Sequence, residues 1–519
     1  MNATLKDQPQ LFGHPKGLFV LFLTEMWERF SYYGMRGLLS LYMASELVGD
    51  PRGPGLGWTD AEALKLYGWY TMLVYVMSIP GGLIADKLIG QKKSVLIGAI
   101  ILCAGHGILA IDALWAFYTG LILVILGVGM LKPNISTMVG GLYEKNDIRR
   151  DKGFSIFYIG INTGSLLATT TVGLVVMKWG WHAGFGLAGI GMLFGLMVYL
   201  YGQKYLVHVG NKTSTEEMKD QVSLGNVFSE LINSPKQLII VVGLIILSIY
   251  YGGFVLEGID HWGYAALFTF LSLVIGMLMI IYKNLRSQVE KDRFLVVLLS
   301  FFLVIVFWGA FEQAGGLMNL YTDNKTDRML FGWEVPTIWF QSLNAGFIIL
   351  FAVTVANYWA KRKLKNKEAS SLFKMATGTI IMGLGFIFMV FAAREAEATG
   401  TSAMYWLVLA YFFHTIGELC SSPVSLSFVT KLAPLRYASL MMGLYFASTG
   451  LGNKVAGLLG ENASEYSELT IFTGITIFTV LFGLGVIALL KPLKRLTHGA
   501  EDKEGTSHEE QEGFELADQ

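Results

Sequence analysis

With 519 residues, of which 53% are hydrophobic and only 15% charged, and a mean hydropathy of +0.52, the chain is too apolar for an ordinary soluble protein. Its 60 glycines match the Gly-rich habit of membrane helices. The 39 basic and 39 acidic side chains cancel, which leaves no basic excess for a nucleic-acid partner and makes the placement of the charges the informative quantity.

The N-terminal segment, Met1 to Lys16, is polar and lacks the apolar core and small-residue cleavage site of a secretory signal, so the first apolar stretch is expected to direct insertion itself. Stretches of spanning length follow near 17–43, 64–85, 94–111, 114–134, 153–176, 183–206, 237–256, 262–282, 294–320, 335–358, 373–392, 403–428, 437–458 and 469–490. They predict fourteen transmembrane helices. With both termini cytoplasmic, roughly 29 of the 39 Lys and Arg residues lie on the cytoplasmic side, and Arg52, Lys65, Lys178, Lys325, Arg328 and Arg394 lie outside. A missed or invented helix would scramble that bias. Arg29, Arg36, Lys132 and Lys454 fall within spans. Cys103 and Cys420 also lie in apolar stretches, as packed thiols rather than a disulfide framework.

The first span contains Glu25-Met26-Trp27-Glu28-Arg29-Phe30-Ser31-Tyr32-Tyr33-Gly34-Met35-Arg36. At 3.6 residues per turn, positions 25, 28, 29, 32 and 36 share one face, so two carboxylates and two guanidiniums form a stripe. One charge at a bilayer centre costs about 2.5–3.5 kcal/mol on insertion scales, so the stripe must face water or partner charges, and a solute or ion pathway is expected. After the second span, Gly81-Gly82-Leu83-Ile84-Ala85-Asp86-Lys87-Leu88-Ile89-Gly90-Gln91-Lys92-Lys93 reads as a loop in which an Asp and a basic cluster can pair across a joint. The fourth span ends in Gly129-Met130-Leu131-Lys132-Pro133-Asn134, and its buried lysine needs a partner, for which Glu25 and Glu28 are the candidates.

The fifth span opens with Phe154-Ser155-Ile156-Phe157-Tyr158-Ile159-Gly160-Ile161-Asn162-Thr163-Gly164-Ser165. A polar stretch over 207–236 reads as a linker, and the two spans after it hold their charges only at their ends, as peripheral helices would. In the span near 294–320, Trp308-Gly309-Ala310-Phe311-Glu312-Gln313 sets Glu312 one turn after Trp308 inside a long apolar helix, the leading proton-site candidate. Later, Glu418-Leu419-Cys420-Ser421-Ser422-Pro423 puts a lone acid in a span whose proline leaves carbonyls free. Tyr32, Tyr33, Tyr75, Tyr158 and Asn162 supply phenols and an amide for a polar pocket, and Trp308 and Tyr445 are candidates to shape subsites. His106 and His414 read as structural.

The segment at 81–93 resembles the loop motif of the major facilitator superfamily, and Glu25-x-x-Glu28-Arg29-Phe30-x-Tyr32-Tyr33-Gly34 resembles the signature of its proton-dependent oligopeptide transporter branch. The stretches at 129–134 and 154–165 are similar to that family's fourth- and fifth-helix motifs, although Thr163 stands where an aliphatic residue or Gly is expected. The resemblance spans nearly the whole chain. It implies an all-α membrane protein of the major facilitator fold, two six-helix bundles plus the two extra helices of bacterial members. The corresponding division is an N-terminal bundle at 1–206, a cytoplasmic linker at 207–236, an inserted helix pair at 237–283, a C-terminal bundle at 284–496 and a disordered cytoplasmic tail at 497–519.

The same resemblance implies a symporter of the inner (plasma) membrane that imports di- and tripeptides with protons by alternating access, driven by a proton gradient and needing no cofactor. In that family's terms Arg29 and Lys132 hold the peptide carboxylate, while Glu25 and Glu28 pair with them and exchange protons. Glu312 pairs with Arg36 at an outer gate that protonation opens. Glu418 recognises the peptide amino terminus, helped by Asn344 and Ser422. Some members carry a histidine where Gly68 stands here, so coupling is expected to rest on carboxylates.

Walker-type phosphate loops, dinucleotide fingerprints and HExxH motifs are missing from the sequence, so an ion gradient rather than nucleotide hydrolysis is the expected energy source. The carboxylates come without a nucleophile and base, which argues against an enzyme, and no signalling domain accompanies the spans. Expected partners are peptides, protons and the lipid bilayer, with no nucleic acid and no obligate protein partner. A same-fold carrier of nitrate or another anion is the alternative; an acid at the amino-terminal end of the pocket argues against it.

Overall fold

The computed structural model describes residues 8–144, 147, 149–211, 224–252 and 261–500, so the middle of the expected linker and nearly all of the acidic tail lie outside the described residues. The described chain is helical almost throughout. The helices are α1 (Lys16–Ala44), α2 (Asp60–Val76), α3 (Ser78–Ile84), α4 (Gln91–Leu109), α5 (Leu114–Gly141), α6 (Arg149–Trp179), α7 (Trp181–Gly202), α8 (Leu224–Ile232), α9 (Pro235–Tyr250) and α10 (His261–Lys283). They continue as α11 (Gln288–Phe311), α12 (Leu317–Lys325), α13 (Trp339–Leu364), α14 (Ser371–Thr399), α15 (Met404–Leu432), α16 (Ala438–Glu461), α17 (Ala463–Tyr466), α18 (Glu468–Ala488) and α19 (Leu490–Leu496).

Among the described residues, eleven helical stretches are long and apolar enough to cross a membrane, or twelve if α8 and α9, which meet at a 97° bend, form one span. The protein is therefore an all-helical membrane protein. Helices also stand at the other expected spans, each with a reason for a weaker signal: α1 carries five charged side chains, α9 has 16 residues, and α16 contains Asn453 and Lys454.

Local chemistry explains where several helices begin and end. The Thr59 hydroxyl accepts the Glu62 amide at 3.3 Å and the Glu62 carboxylate accepts the Thr59 amide at 2.9 Å, a reciprocal cap that starts α2. The segment read as a loop at 81–93 is instead helical as far as Ile89, its last turn widened into a π turn over Ala85–Ile89. It stops at Gly90, whose φ of +82° a residue with a Cβ rarely adopts. Within the same segment, a Cβ at Gly81 would overlap the carbonyl of Gly129. The glycine thus lets α3 lie against the α5 backbone.

The chain divides into two units, one made of Met1–Ser214, Phe301–Leu426 and Tyr445–Ala488, the other of Thr215–Ser300, Ser427–Leu444 and Leu489–Gln519. In the first, α4 with α5, α14 with α18, and α1 with both α6 and α7 make the most extensive packing. Its core is aliphatic and aromatic, with Phe30, Met35, Leu102, Phe185, Phe307 and Phe386 among the buried side chains. In the second, α9 packs against α10, and the Ser248 hydroxyl in the last turn of α9 lies 3.2 Å from the Ser272 hydroxyl midway along α10. At its end, Lys283 donates to Ser234 at 3.0 Å, and Asn284 to Glu230 at 2.6 Å.

Candidate functional site

The charged stripe of α1 is buried, as its cost in lipid demands. Glu25, Glu28 and Arg29 are each 3% exposed or less. Arg29 Nε lies 2.9 Å from Glu25 Oε1 and 2.5 Å from Glu28 Oε2, so one guanidinium serves both carboxylates. Gly164 of α6 makes room for this, because a Cβ there would overlap the Met26 carbonyl and crowd Arg29. The Arg29 guanidinium also lies over the Tyr32 ring, 5.3 Å from its centre. Glycine supplies the space and the arginine the charge balance.

Lys132 departs from expectation. Its ammonium lies 3.8 Å from the centre of the Tyr75 ring, and among the described residues the ion pairs of Glu25 and Glu28 go to Arg29 rather than to Lys132. The reason is geometric: Arg29 sits on the same helix, four residues after Glu25 and next to Glu28, and reaches both acids without crossing to α5. A π face then takes the cation that the carboxylates do not.

A second group surrounds Glu312. Arg36 Nη1 donates to both Glu312 oxygens at 2.9 Å; Arg36 is 6% exposed and Glu312 1%. The Tyr33 ring lies under the Arg36 guanidinium at 5.2 Å. Glu312 does not sit within a continuous helix, as its apolar surroundings suggested. α11 ends at Phe311, Glu312–Ala314 form a 3-10 turn, and the chain turns again at Gly316 before α12. Side chains that sequence reading passed over hold this break. Tyr67 donates to Glu312 at 3.4 Å, Ser40 donates to the Gly315 carbonyl at 2.8 Å, and Asn319 donates to Ser40 and to the Gly37 carbonyl, both at 3.0 Å. The adjacent Gly315-Gly316 pair was the visible signal of a broken helix.

Near the end of α12, Arg52 donates to Asp50 and Asp323, both at 2.8 Å, and stacks 4.6 Å from the centre of the Trp181 ring. Burial alone would raise the Asp50 carboxyl, but hydrogen bonds from Arg52 outweigh it and hold Asp50 below the usual carboxylate range. Its contribution to stability is thus present above the ordinary Asp value of about 3.9 and is lost only as pH falls through the depressed one.

The third group lies on α13 and α15. Glu418, 8% exposed, accepts a hydrogen bond at Oε2 from Asn344 Nδ2 at 2.8 Å. Pro423 stands inside α15, and the Ser422 carbonyl accepts the Ser425 hydroxyl at 3.0 Å. Ser425 in turn meets the Tyr445 hydroxyl at 3.0 Å. No side-chain hydrogen bond involves Ser422 itself among the described residues. Trp308 packs edge-on to Phe307 and Phe311. On α6, Asn162 donates to the Tyr158 carbonyl at 3.0 Å, and the Tyr158 side chain is 39% exposed. Among the described residues no ion pair or hydrogen bond joins Arg29 or Lys132 to Glu418, so the buried charges stand in separate stations. His106 and His414 are fully buried with neither ring nitrogen hydrogen-bonded, in keeping with a packing role. No cluster of metal-ligating side chains occurs among the described residues.

Apolar helices of spanning length thus enclose buried charges of both signs. A POT family model matches residues 92–475. Over 509 residues the chain is 36% identical to the peptide transporter YePEPT of Yersinia enterocolitica, covering 95% of this chain and 97% of that protein. It is 33% identical over 505 residues to the di-/tripeptide transporter of Lactococcus lactis subsp. cremoris, covering 96% and 99%. The crystal structure of a POT family transporter in complex with a thioalcohol conjugated peptide matches with a TM-score of 0.77 at 33% identity, covering 95% of this chain and all of that one (100%). The chain belongs to the POT family, whose members are transporters of the plasma membrane.

Proposed function

We propose that this protein is a proton-coupled symporter that imports di- and tripeptides by alternating access. The observation that carries the reading is the buried Arg36–Glu312 pair, which joins α1 to the break between α11 and α12. A carboxylate held by one guanidinium can exchange that cation for a proton. Removing the charge of one partner of a buried pair leaves the other uncompensated, at a cost of about 3–5 kcal/mol, enough to drive a change of state. The proton gradient is then the energy source and no cofactor takes part. Glu25, Glu28 and Arg29 form a second charged group through which protons exchange.

The cations Arg29 and Lys132 and the acid Glu418 suit the two ends of a zwitterion, with Asn344 and Ser422 assisting at the amino end. Tyr32, Tyr33, Tyr75, Tyr158 and Asn162 meet the backbone, and Trp308 and Tyr445 the side chains. Peptides are the substrate named for the relatives above, which supports this choice over nitrate or another anion. The protein crosses the plasma membrane fourteen times with both termini in the cytoplasm. Its bundles are 1–206 and 284–496, its linker 207–236, its inserted pair 237–283 and its tail 497–519. It needs neither nucleic acid nor a protein partner.

In proteoliposomes, a labelled dipeptide should accumulate only under an inward proton gradient. Glu312→Gln should abolish that accumulation while sparing exchange of peptide at equal concentrations. Concentrative uptake by the mutant would remove Glu312 from coupling, and uptake of nitrate with no competition from peptide would overturn the substrate assignment.

A further inference from the structure

Thr415 stands on α15 one turn before Glu418, fully buried, and takes part in two hydrogen bonds. Its hydroxyl donates to the Tyr411 carbonyl at 2.7 Å and accepts Asn344 Nδ2 at 3.2 Å. A hydroxyl has one proton. Once that proton is committed to Tyr411, only lone pairs remain for Asn344, so Thr415 meets an amide NH2 and repels an amide oxygen. The Glu418 carboxylate makes the same demand from its side, accepting the same Nδ2 at 2.8 Å. Both protons of the Asn344 NH2 group are thereby used, and a flipped amide would set its oxygen against a lone pair and an anion.

Two acceptors are left over. Asn344 Oδ1 and Glu418 Oε1 carry no protein hydrogen bond among the described residues, and Asn344 is only half-buried. We propose that Thr415 is a positioning residue that locks the Asn344 amide so that Asn344 Oδ1 and Glu418 Oε1 are presented together to a primary ammonium group. A free peptide amino terminus has three N–H donors and can satisfy both acceptors at once, whereas an acylated one has a single N–H and no charge. This selectivity for a free amine rests on the reading of Glu418 as the amino-terminal site, and Thr415 acts through Asn344 without touching the substrate.

The test is competition binding to the purified full-length protein with Ala-Ala and N-acetyl-Ala-Ala. Thr415→Val keeps the shape and removes the hydroxyl, freeing the amide to turn. It should weaken Ala-Ala by about tenfold and its acetylated analogue by less than about twofold, the scale of one charge-assisted hydrogen bond lost. Thr415→Ser, which restores the hydroxyl, should return Ala-Ala to within about twofold of the parent. Thr415→Ala, which removes the hydroxyl without adding a methyl in its place, repeats the comparison should Val disturb the packing. Glu418→Gln is measured in parallel. If it separates the two ligands and the Thr415 variants do not, the positioning role is overturned and the amino-terminal reading stands. An equal loss for both ligands in Glu418→Gln overturns the amino-terminal reading and this inference with it.

Discussion

At Lys132 the ammonium rests on the Tyr75 ring at 3.8 Å, and the two nearby acids of α1 belong to Arg29. A desolvated cation–π contact is worth about 2 kcal/mol, so the ring, not the phenol oxygen, should hold the lysine in place. Tyr75→Phe should therefore keep dipeptide affinity within about twofold, while Tyr75→Ala should weaken it by about five- to thirtyfold. Because Lys132 is assigned to the peptide carboxylate, the Tyr75→Ala loss should be larger for a free dipeptide than for its C-terminal amide. Equal losses in a competition assay would show that the ring serves packing alone. The helical period made the α1 stripe legible, since spacing by three and four residues sets charges on one face. It did not reveal which cation answers which acid, because that depends on how far α5 stands from α1.

Between α11 and α12 the polypeptide leaves the α-helix for five residues' worth of turn, and the surrounding helices are fitted to that departure. A Cβ on Gly315 would overlap the hydroxyl of Tyr67, which is itself fully buried and donates to Glu312. Gly315→Ala should therefore overpack the site, at a cost of about 1–3 kcal/mol, and lower both the melting temperature and peptide exchange. Adding Tyr67→Phe removes the offending oxygen and should restore much of the melting temperature. A double variant no more stable than Gly315→Ala would place the strain elsewhere. The apolar run near 294–320 concealed this break, since hydrophobicity continues through it. Only the paired glycines hinted at it.

Across the whole molecule, the fourteen-helix reading sets nine crossings between the N-terminal segment and the turn after α12, an odd number that puts them on opposite sides. Phe12 and Phe331 are 85% and 101% exposed, and each offers a site for an introduced cysteine once Cys103 and Cys420 are replaced. In intact cells an impermeant maleimide should label Phe331→Cys directly and Phe12→Cys only after permeabilisation. Labelling of both from the same side would mean that α9 and α10 do not both cross, which is the point on which the short α9 and its bent approach bear most directly. The labelling also tests the cytoplasmic placement of the N-terminus inferred from the distribution of Lys and Arg.

Hydrophobic length, the cost of burying charge and the helical period act within a few turns of chain, so the sequence alone determined that this is a helical membrane protein, where most of its long apolar helices lie, and which residues share the charged face of α1. Motif spacing was local too, and it identified the family. Tertiary structure makes the pairings: Arg36 meets Glu312 across 276 residues and Asn344 meets Glu418 across 74, both contacts that the family resemblance implied, whereas Arg29 takes both acids that Lys132 was expected to share. It also decided the break after Phe311 and the hydrogen bonds of Tyr67, Ser40, Asn319 and Thr415. Such contacts depend on helix separation, glycine-sized clearances and the direction of single hydroxyl protons, and none of these has a period along the chain.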